Sequence, residues 1–441
     1  MNQSPRQFSF YQGLLLRGAI ATLAAGSLLA PGLIPSVRAA LEDSPKTVVD
    51  EVWQIVNSEY VDGDFNRVDW QEMRQELLNR DYTGKKQAYK AIRRALKKLG
   101  DPYTRFLPPQ EFKILTSQTS GELSGVGLLL AIDRYTNHLV VVKSLKNSPA
   151  IKAGIKTGDR ILRIDGKPTT LMSFEQASQE IRGEVGTEVS LQILRQGKEV
   201  FEVTLTRVQM EVPSVSYTLK EEGQMQVGYI KLDEFSSHAA EQMKQAIEDL
   251  NEQQVSAFVL DLRGNPGGLL FASVDIARMW MKKGAIVSIV DRRGGKRQFS
   301  AKGSALTDLP LVVLVDGNSA SASEILAGAL KENKRATVVG TTTYGKGTVQ
   351  SVHSLSDGSG LAVTISRYYP PSGTDINHKG IAPDISLDLT SEQKRRLNED
   401  PSLMGTKSDP QYARAIAVLN SGFGQINRSP EPVGIRWQGE Q

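Results

Sequence analysis

The 441-residue sequence predicts a multidomain α/β protein: a helical N-terminal domain, a β-rich middle unit, an α/β core and a C-terminal helical segment. Three observations predict it. Apolar residues recur at three- and four-residue spacing before residue 100, short β runs separated by turns fill 121–208, and strand and helix patterns alternate beyond 227. The chain is too long for one ordinary domain, and with 39% hydrophobic residues it can bury a substantial core. The boundaries are expected at 1–39, 40–118, 119–209, 210–390 and 391–441.

Residues 1–39 read as an export signal. Arg6 and Arg17 precede an apolar run from Gly18 to Ile34, and Val37-Arg38-Ala39 supplies small residues at A-x-A-like positions, so cleavage is expected near Ala39. An uncleaved anchor is the competing reading, but Pro31 and Pro35 break the run and it is short for a span. The full chain carries a formal charge of +4, and removing the leader takes away three arginines and no acid. What remains is almost balanced and gives no argument for nucleic acid as a partner.

In the helical domain, Val48, Val49, Val52, Trp53, Val56 and Tyr60 mark one helix face, and Trp70, Met73 and Leu77 a second. A third helix runs from Lys85 to Leu99 until Gly100-Asp101-Pro102 stops it. Its lysines and arginines read as a solvated face opposite Ile92, Ala95 and Leu99, with peripheral contact to an anionic membrane surface as the alternative.

The middle unit has β runs at Gly127–Ile132, Leu139–Val142, Arg160–Ile164, Val189–Leu194 and Glu199–Leu205, and Asp165-Gly166 fits a hairpin turn. Ser173-Phe-Glu-Gln176 is a capping box for a helix through Ile181 that buries Phe174, Ala177 and Ile181. The core then opens with a strand at Val227–Leu232 and a helix at Ala239–Leu250. Its next strand, Ala257–Leu262, is apolar except for Asp261, as expected when both sheet faces are covered. Arg263-Gly-Asn-Pro-Gly-Gly268 follows, and a second buried strand, Leu311–Val315, runs into Ser319-Ala-Ser-Ala-Ser323. Ser391–Asn398 and Gln411–Leu419 can each form a helix, and the last dozen residues are expected to be loose.

The absence of cysteine excludes disulfides, thiolate zinc sites and a cysteine nucleophile. The four histidines have no close metal-ligand spacing, so neither a metal nor a cofactor is expected. A serine hydroxyl attacks a carbonyl only if a base takes its proton, and a lysine can do so when burial favours its neutral form. Lys346 lies between Gly345 and Gly347 in surroundings with no charged neighbour through Val352. Gln350, four residues on, would share its face in an extended strand and could orient the amine.

Spacing alone leaves alternatives open. Ser321-x-x-Glu324 is also a capping box, and Ser319 and Ser323 are equally eligible hydroxyls. Gly340 to Lys346 nearly spells a phosphate-binding loop, but Gly347 stands where a hydroxyl should be and TVQSVHSL favours a strand over the required helix. Ser391-Glu-Gln-Lys394 is a literal S-x-x-K among charged residues, read as a surface helix start.

Gly125-Val-Gly-Leu128, Ser148-Pro-Ala150 with Gly154, and Gly158-Asp-Arg-Ile-Leu162 resemble a PDZ domain. The resemblance implies capture of a protein's free C-terminal tail as an added strand, with the amides of Gly125, Val126, Gly127 and Leu128 around the terminal carboxylate. Asp261 to Gly268, Ser319 to Ile325 and Tyr344 to Gln350 together resemble the carboxyl-terminal processing peptidases, tail-specific proteases of the Ser-Lys class. That resemblance implies a ClpP/crotonase-like core. It also implies Ser321 as nucleophile, Lys346 as general base, Gln350 as its orienting partner, and Gly267 (or Gly268) with the Ala322 amide as oxyanion donors. Some family members carry aspartate where this chain has Glu332.

Arg182, at the end of the PDZ-like helix, is the candidate link between tail binding and the site. The helical N-terminal domain and export signal resemble the cyanobacterial and chloroplast branch, which implies the periplasm or thylakoid lumen and a photosystem II reaction-centre precursor as substrate. The reading from a different class is a catalytically silent scaffold presenting the PDZ groove.

Overall fold

The computed structural model describes residues 44–133, 138–195 and 200–426, with side chains to residue 421. The expected leader and the tail with Pro430 and Pro432 lie outside the described residues. Among these, no helix is long and apolar enough to cross a membrane.

The N-terminal helices are α1 (Pro45–Glu59), α2 (Trp70–Asn79) and α3 (Lys85–Lys97). They bury the apolar faces read from the sequence, and Trp53 and Trp70 each donate an indole N–H to the other's backbone carbonyl. Beyond α3 the chain does not leave for the middle unit at once but first joins a later sheet. Strand β1 (Arg105–Leu107) pairs antiparallel with the later strand Gly360–Tyr369, whose Leu361 and Val363 complete the helical core. The helix α4 (Pro109–Ser120), absent from the sequence reading, then ends at Gly121, which caps it with φ +69°.

The middle unit is built on strands β3 (Leu128–Ile132), β4 (Leu139–Ser144), β5 (Arg160–Ile164), β7 (Glu188–Leu194) and β8 (Val200–Thr206), hydrogen-bonded in that order. Asp165 and Gly166 both have positive φ, the type I′ requirement, in the turn from β5 to the short β6 (Lys167–Pro168). The capping box of Ser173 and Gln176 forms with both hydrogen bonds and opens a helix at Phe174–Ile181. A separate ribbon, β2 (Glu122–Gly125) against β9 (Val208–Glu211), carries the chain into and out of this unit.

The core sheet runs β10 (Val215–Glu222), β11 (Met225–Leu232), β12 (Ala257–Asp261), β15 (Leu311–Val315), β16 (Thr337–Gly340) and β19 (Ile385–Ser386). All neighbours from β11 onward are parallel. Phe258, Leu260, Val313 and Val315 face the helices Ala239–Glu252, Leu270–Trp280 and Ala322–Glu332. The alternate residues Val259, Val312, Leu314 and Val339 face Tyr412, Ala415, Ile416 and Leu419 of the helix Pro410–Ile426. The unbroken apolar runs follow from that double coverage.

Asp261 also points to the C-terminal side, where Arg263 donates to Asp261 (2.6 Å), Asp409 (2.7 Å) and Gln411 (3.0 Å). Both carboxylates are fully buried, so the desolvated charges require this pairing. The pairing fixes the start of the loop that leads to Gly267. A second sheet joins β17 (Thr348–Ser354), β18 (Gly360–Tyr369), β13 (Ala285–Asp291) and β14 (Lys296–Ser300) and brings β17 beside the core.

Candidate active site

Parallel strand β15 ends at Val315, and the chain turns through the serine cluster into the helix Ala322–Glu332. The structure distinguishes the three hydroxyls that spacing could not. Ser319 is fully buried and donates to the Leu262 carbonyl (2.8 Å), and Ser323 is fully buried and donates to the Asn265 carbonyl (3.0 Å). Ser321 alone of the three keeps partial exposure. Its backbone sits at φ +56°, ψ −112°, a region that a non-glycine residue occupies at a cost of order 1–3 kcal/mol. The turn is held against that cost from both sides: the Ser321 N–H donates to Glu324 Oε2 (2.8 Å), and Tyr368 donates its hydroxyl to the Ser321 carbonyl (3.1 Å).

Glu324 does more than cap a helix. It is fully buried, and Oε2 also accepts the Lys346 N–H (2.9 Å) while Oε1 accepts the Gly345 N–H (2.7 Å) and the Thr343 hydroxyl (2.6 Å). One carboxylate therefore ties the serine turn to the lysine loop. The capping-box pattern identified only its local bond, because the other donors lie about twenty residues further along the chain. Gly345, at φ +88°, lets the loop cross the backbone of residues 378–380, since a Cβ there would lie 2.8 Å from the Lys379 nitrogen.

The glycine loop lies against the serine. A Cβ on Gly267, whose φ is +105°, would fall 2.9 Å from Ser321 Cβ and 3.0 Å from the Ala322 nitrogen. The Gly267 N–H donates to Asn265 Oδ1 (2.8 Å). Gly268 forms a parallel bridge with Phe235, in which the Gly267 carbonyl and Leu269 N–H face Phe235. Alternation of the extended backbone turns the Gly268 N–H to the other side, where it has no acceptor among the described residues. Gly268 is exposed, and Ala322 contributes a first-turn amide of its helix.

Lys346 is partly buried. Burial, then the nearby Arg105 charge, pushes its amine below the ordinary lysine value, with Asp101 and Glu324 opposing. Its Nζ lies 4.8 Å from the centroid of the Tyr103 ring, and among the described residues no hydrogen bond joins it to Ser321. Gln350 does not meet the amine as the strand argument expects. Its amide donates to Thr348 (3.0 Å) and Thr364 (3.2 Å) instead. The strand begins only at Thr348, and a register shift between Val349 and Gln350 breaks the simple alternation on which that expectation rests.

Tyr103 is the neighbour that sequence reasoning missed. It stands in the loop after α3, where Asp101 accepts from the Tyr103 N–H (2.9 Å) and the Thr104 hydroxyl (2.6 Å). The Thr104 hydroxyl in turn accepts the Thr364 N–H (3.0 Å). The available sign of a short strand here was composition and not alternation, since Tyr103, Thr104 and Phe106 are strand-favouring residues.

Glu332 lies at the far end of the serine helix, on the order of 15 Å from Ser321 at 1.5 Å per residue, and holds the Ser372 turn. Ser391 opens a charged surface helix capped by Thr390, as expected. Among the described residues, no group of three acidic or histidine side chains converges as a metal site.

In the β-rich unit, β3 is an edge strand, with the half-buried Leu128 and Leu130 packed on a core that includes Ala177 and Ile181. Gly127 takes φ +81°, and a Cβ there would lie 2.2 Å from Ser148 Cβ. Val126 is buried between Gly125 and Gly127, and its carbonyl accepts the Ala150 N–H (3.0 Å). Arg182 is exposed beside Gly125.

Residues 226–387 match peptidase family S41, and residues 140–195 match the PDZ domain family. The chain is 41% identical over 410 residues to a carboxyl-terminal-processing protease of Synechocystis sp., covering 92% of this chain and 94% of that one. It is 40% identical to carboxyl-terminal-processing peptidase 2, chloroplastic, of Arabidopsis thaliana, covering 89% and 78%. A solved structure of a photosystem II D1 C-terminal processing protease superposes with a TM-score of 0.53 at 36% identity, covering 84% and 99%. The chain belongs to the carboxyl-terminal-processing proteases of peptidase family S41, serine peptidases with a PDZ domain.

Proposed function

We propose that this peptidase cleaves the C-terminal tails of proteins through an acyl-enzyme on Ser321, with Lys346 as the general base. The observation that carries the assignment is Glu324: its one carboxylate holds the Ser321 and Lys346 backbones, and Ser321 is the one hydroxyl of the cluster with partial exposure. Lys346, when neutral, takes the serine proton as Oγ attacks the scissile carbonyl, then returns it to the leaving amine. The exposed Gly268 N–H, with the Ala322 N–H, receives the oxyanion, while Gly267 supplies the close approach. Gln350 joins the amine only after its bonds to Thr348 and Thr364 rearrange.

The tail docks along the free edge of β3, with its carboxylate at the loop Gly125 to Leu128. Arg182 beside that loop is the proposed relay from bound tail to site. We further propose that the protein is exported to the periplasm or thylakoid lumen with cleavage near Ala39. The D1-processing relative supports a photosystem II precursor as the natural substrate.

The test offers an unstructured protein tail, with a free or an amidated C-terminus, to the wild type, Ser321→Ala and Lys346→Ala. Wild type is expected to cleave the free tail faster, and each variant to lose roughly 10⁴-fold or more in kcat. Equal cleavage by all three proteins removes the dyad, and equal cleavage of both tails removes carboxylate recognition. Binding without cleavage by wild type would favour the silent scaffold.

A further inference from the structure

We infer that Tyr103, delivered by the helical N-terminal domain, is a positioning residue that holds the Lys346 ammonium on its ring face and so sets both the resting place and the proton affinity of the base. The inference deepens the assignment of Lys346 as base and rests on it.

The geometry is specific. Nζ lies 4.8 Å from the ring centroid, within the range in which the negative face of an aromatic ring attracts a cation. The side chain is partly desolvated, which strengthens such contacts, and no carboxylate oxygen lies within ion-pair distance of Nζ among the described residues. Burial, then the neighbouring Tyr344 hydroxyl, keeps the Tyr103 phenol well above its ordinary value, so the lysine meets a neutral ring and not a phenolate.

The other charged groups that bear on the amine are Arg105, at the start of β1, and Asp101 and Glu324, which favour the ammonium. The ring is also firmly placed. Asp101 pins the loop through the Tyr103 N–H and the Thr104 hydroxyl, Thr104 bonds to β18, and β1 continues the pairing from Arg105 to Leu107.

Two consequences follow from a ring that binds the charged form only. The lysine must both lose its proton and exchange the ring for Ser321 before it serves as a base, so the contact opposes premature activation. It also makes the N-terminal domain part of the base's environment, although more than two hundred residues of chain separate Tyr103 from Lys346.

The test compares wild type, Tyr103→Phe, Tyr103→Leu and a series of fluorinated phenylalanines at position 103, which weaken the negative ring face while keeping its shape. The first readout is the pH profile of kcat/KM on a tail peptide. The second is the pH dependence of Lys346 acetylation by acetic anhydride, read by peptide mass spectrometry in the Ser321→Ala background.

Tyr103→Phe is expected to titrate as wild type. Tyr103→Leu and the most fluorinated ring are expected to shift the acid limb and the labelling midpoint about one unit lower, since loss of the ring favours the neutral amine. The fluorinated series should show a graded shift, which a purely structural role for the residue would not produce. Labelling midpoints within about 0.2 unit for all variants would overturn the inference. If labelling shifts but the activity profile does not, Tyr103 holds the lysine as stated and the assignment of Lys346 as the base fails instead. The fluorinated variants carry the test if Tyr103→Leu does not fold.

Discussion

The two halves of the site are built differently. On the serine side, Ser319, Ser323, Asn265 and the Ser321 turn form a buried, hydrogen-bonded unit within one sheet and its following helix. On the lysine side, only the backbone is fixed in that way, through Glu324; the side chain spans to a ring contributed by another domain, and Gln350 points to two threonines. A strained nucleophile needs a frame that cannot relax, and such a frame is locally encoded. A base whose protonation and position must change during the reaction is better served by few, exchangeable contacts. The difference places control of activity on the lysine half.

The largest expected effect breaks the serine half. In Gly267→Ala the new Cβ would meet the Ala320 carbonyl at 2.7 Å and Ser321 Cβ at 2.9 Å, and φ +105° is unfavourable for alanine. A fall in kcat of about 10²–10³-fold is expected, comparable to loss of an oxyanion donor, with the affinity for a tail peptide at the PDZ unit unchanged. Steady-state kinetics and peptide titration check this; full activity would show that the loop does not crowd the serine.

Glu324→Gln tests the link between the halves. An amide cannot accept on both sides, so at least one of the Ser321, Gly345 and Lys346 N–H groups loses its acceptor, at about 1–3 kcal/mol. Denaturant unfolding should register that loss, and kcat should fall about 10–100-fold as serine and lysine loops separate.

The smallest effect concerns the lysine half. As the proposed base, Lys346 must be neutral to accept a proton, so kcat/KM is expected to rise with pH through its titration, and burial places that limb below the ordinary value of about 10.4. The Arg105 charge pushes in the same direction. Arg105→Gln therefore raises the titration and moves the acid limb a few tenths of a pH unit upward, opposite to Tyr103→Leu. A pH–rate profile with the limb moved downward would show that Arg105 acts otherwise.

Local pattern explains what the sequence revealed. The helix faces of α1 to α3, the β-rich unit with its Asp165-Gly166 turn and Ser173 box, and the doubly covered strands at 257 and 311 all depend on neighbours within a few residues. The candidate catalytic segments were legible because their motifs are local too. The remainder depends on contacts between distant residues. Spacing could not separate Ser321 from Ser319 and Ser323, because what differs among them is burial against the Leu262–Asn265 backbone. Glu324 showed only its helix-capping bond. The Gly267 N–H proved to be occupied by Asn265, and a register shift moved Gln350 off the lysine. Tyr103 sat beyond what looked like a simple helix stop, in a loop that serves the site only because β1 pairs with β18.

The most direct test of the central claim is the intact-protein mass after rapid acid quench of wild type mixed with a tail substrate. The account predicts a transient species heavier by the mass of the N-terminal product acyl fragment, mapped by peptide sequencing to Ser321 and absent from Ser321→Ala. An adduct on another residue, or cleavage by Ser321→Ala at the wild-type rate, would contradict it.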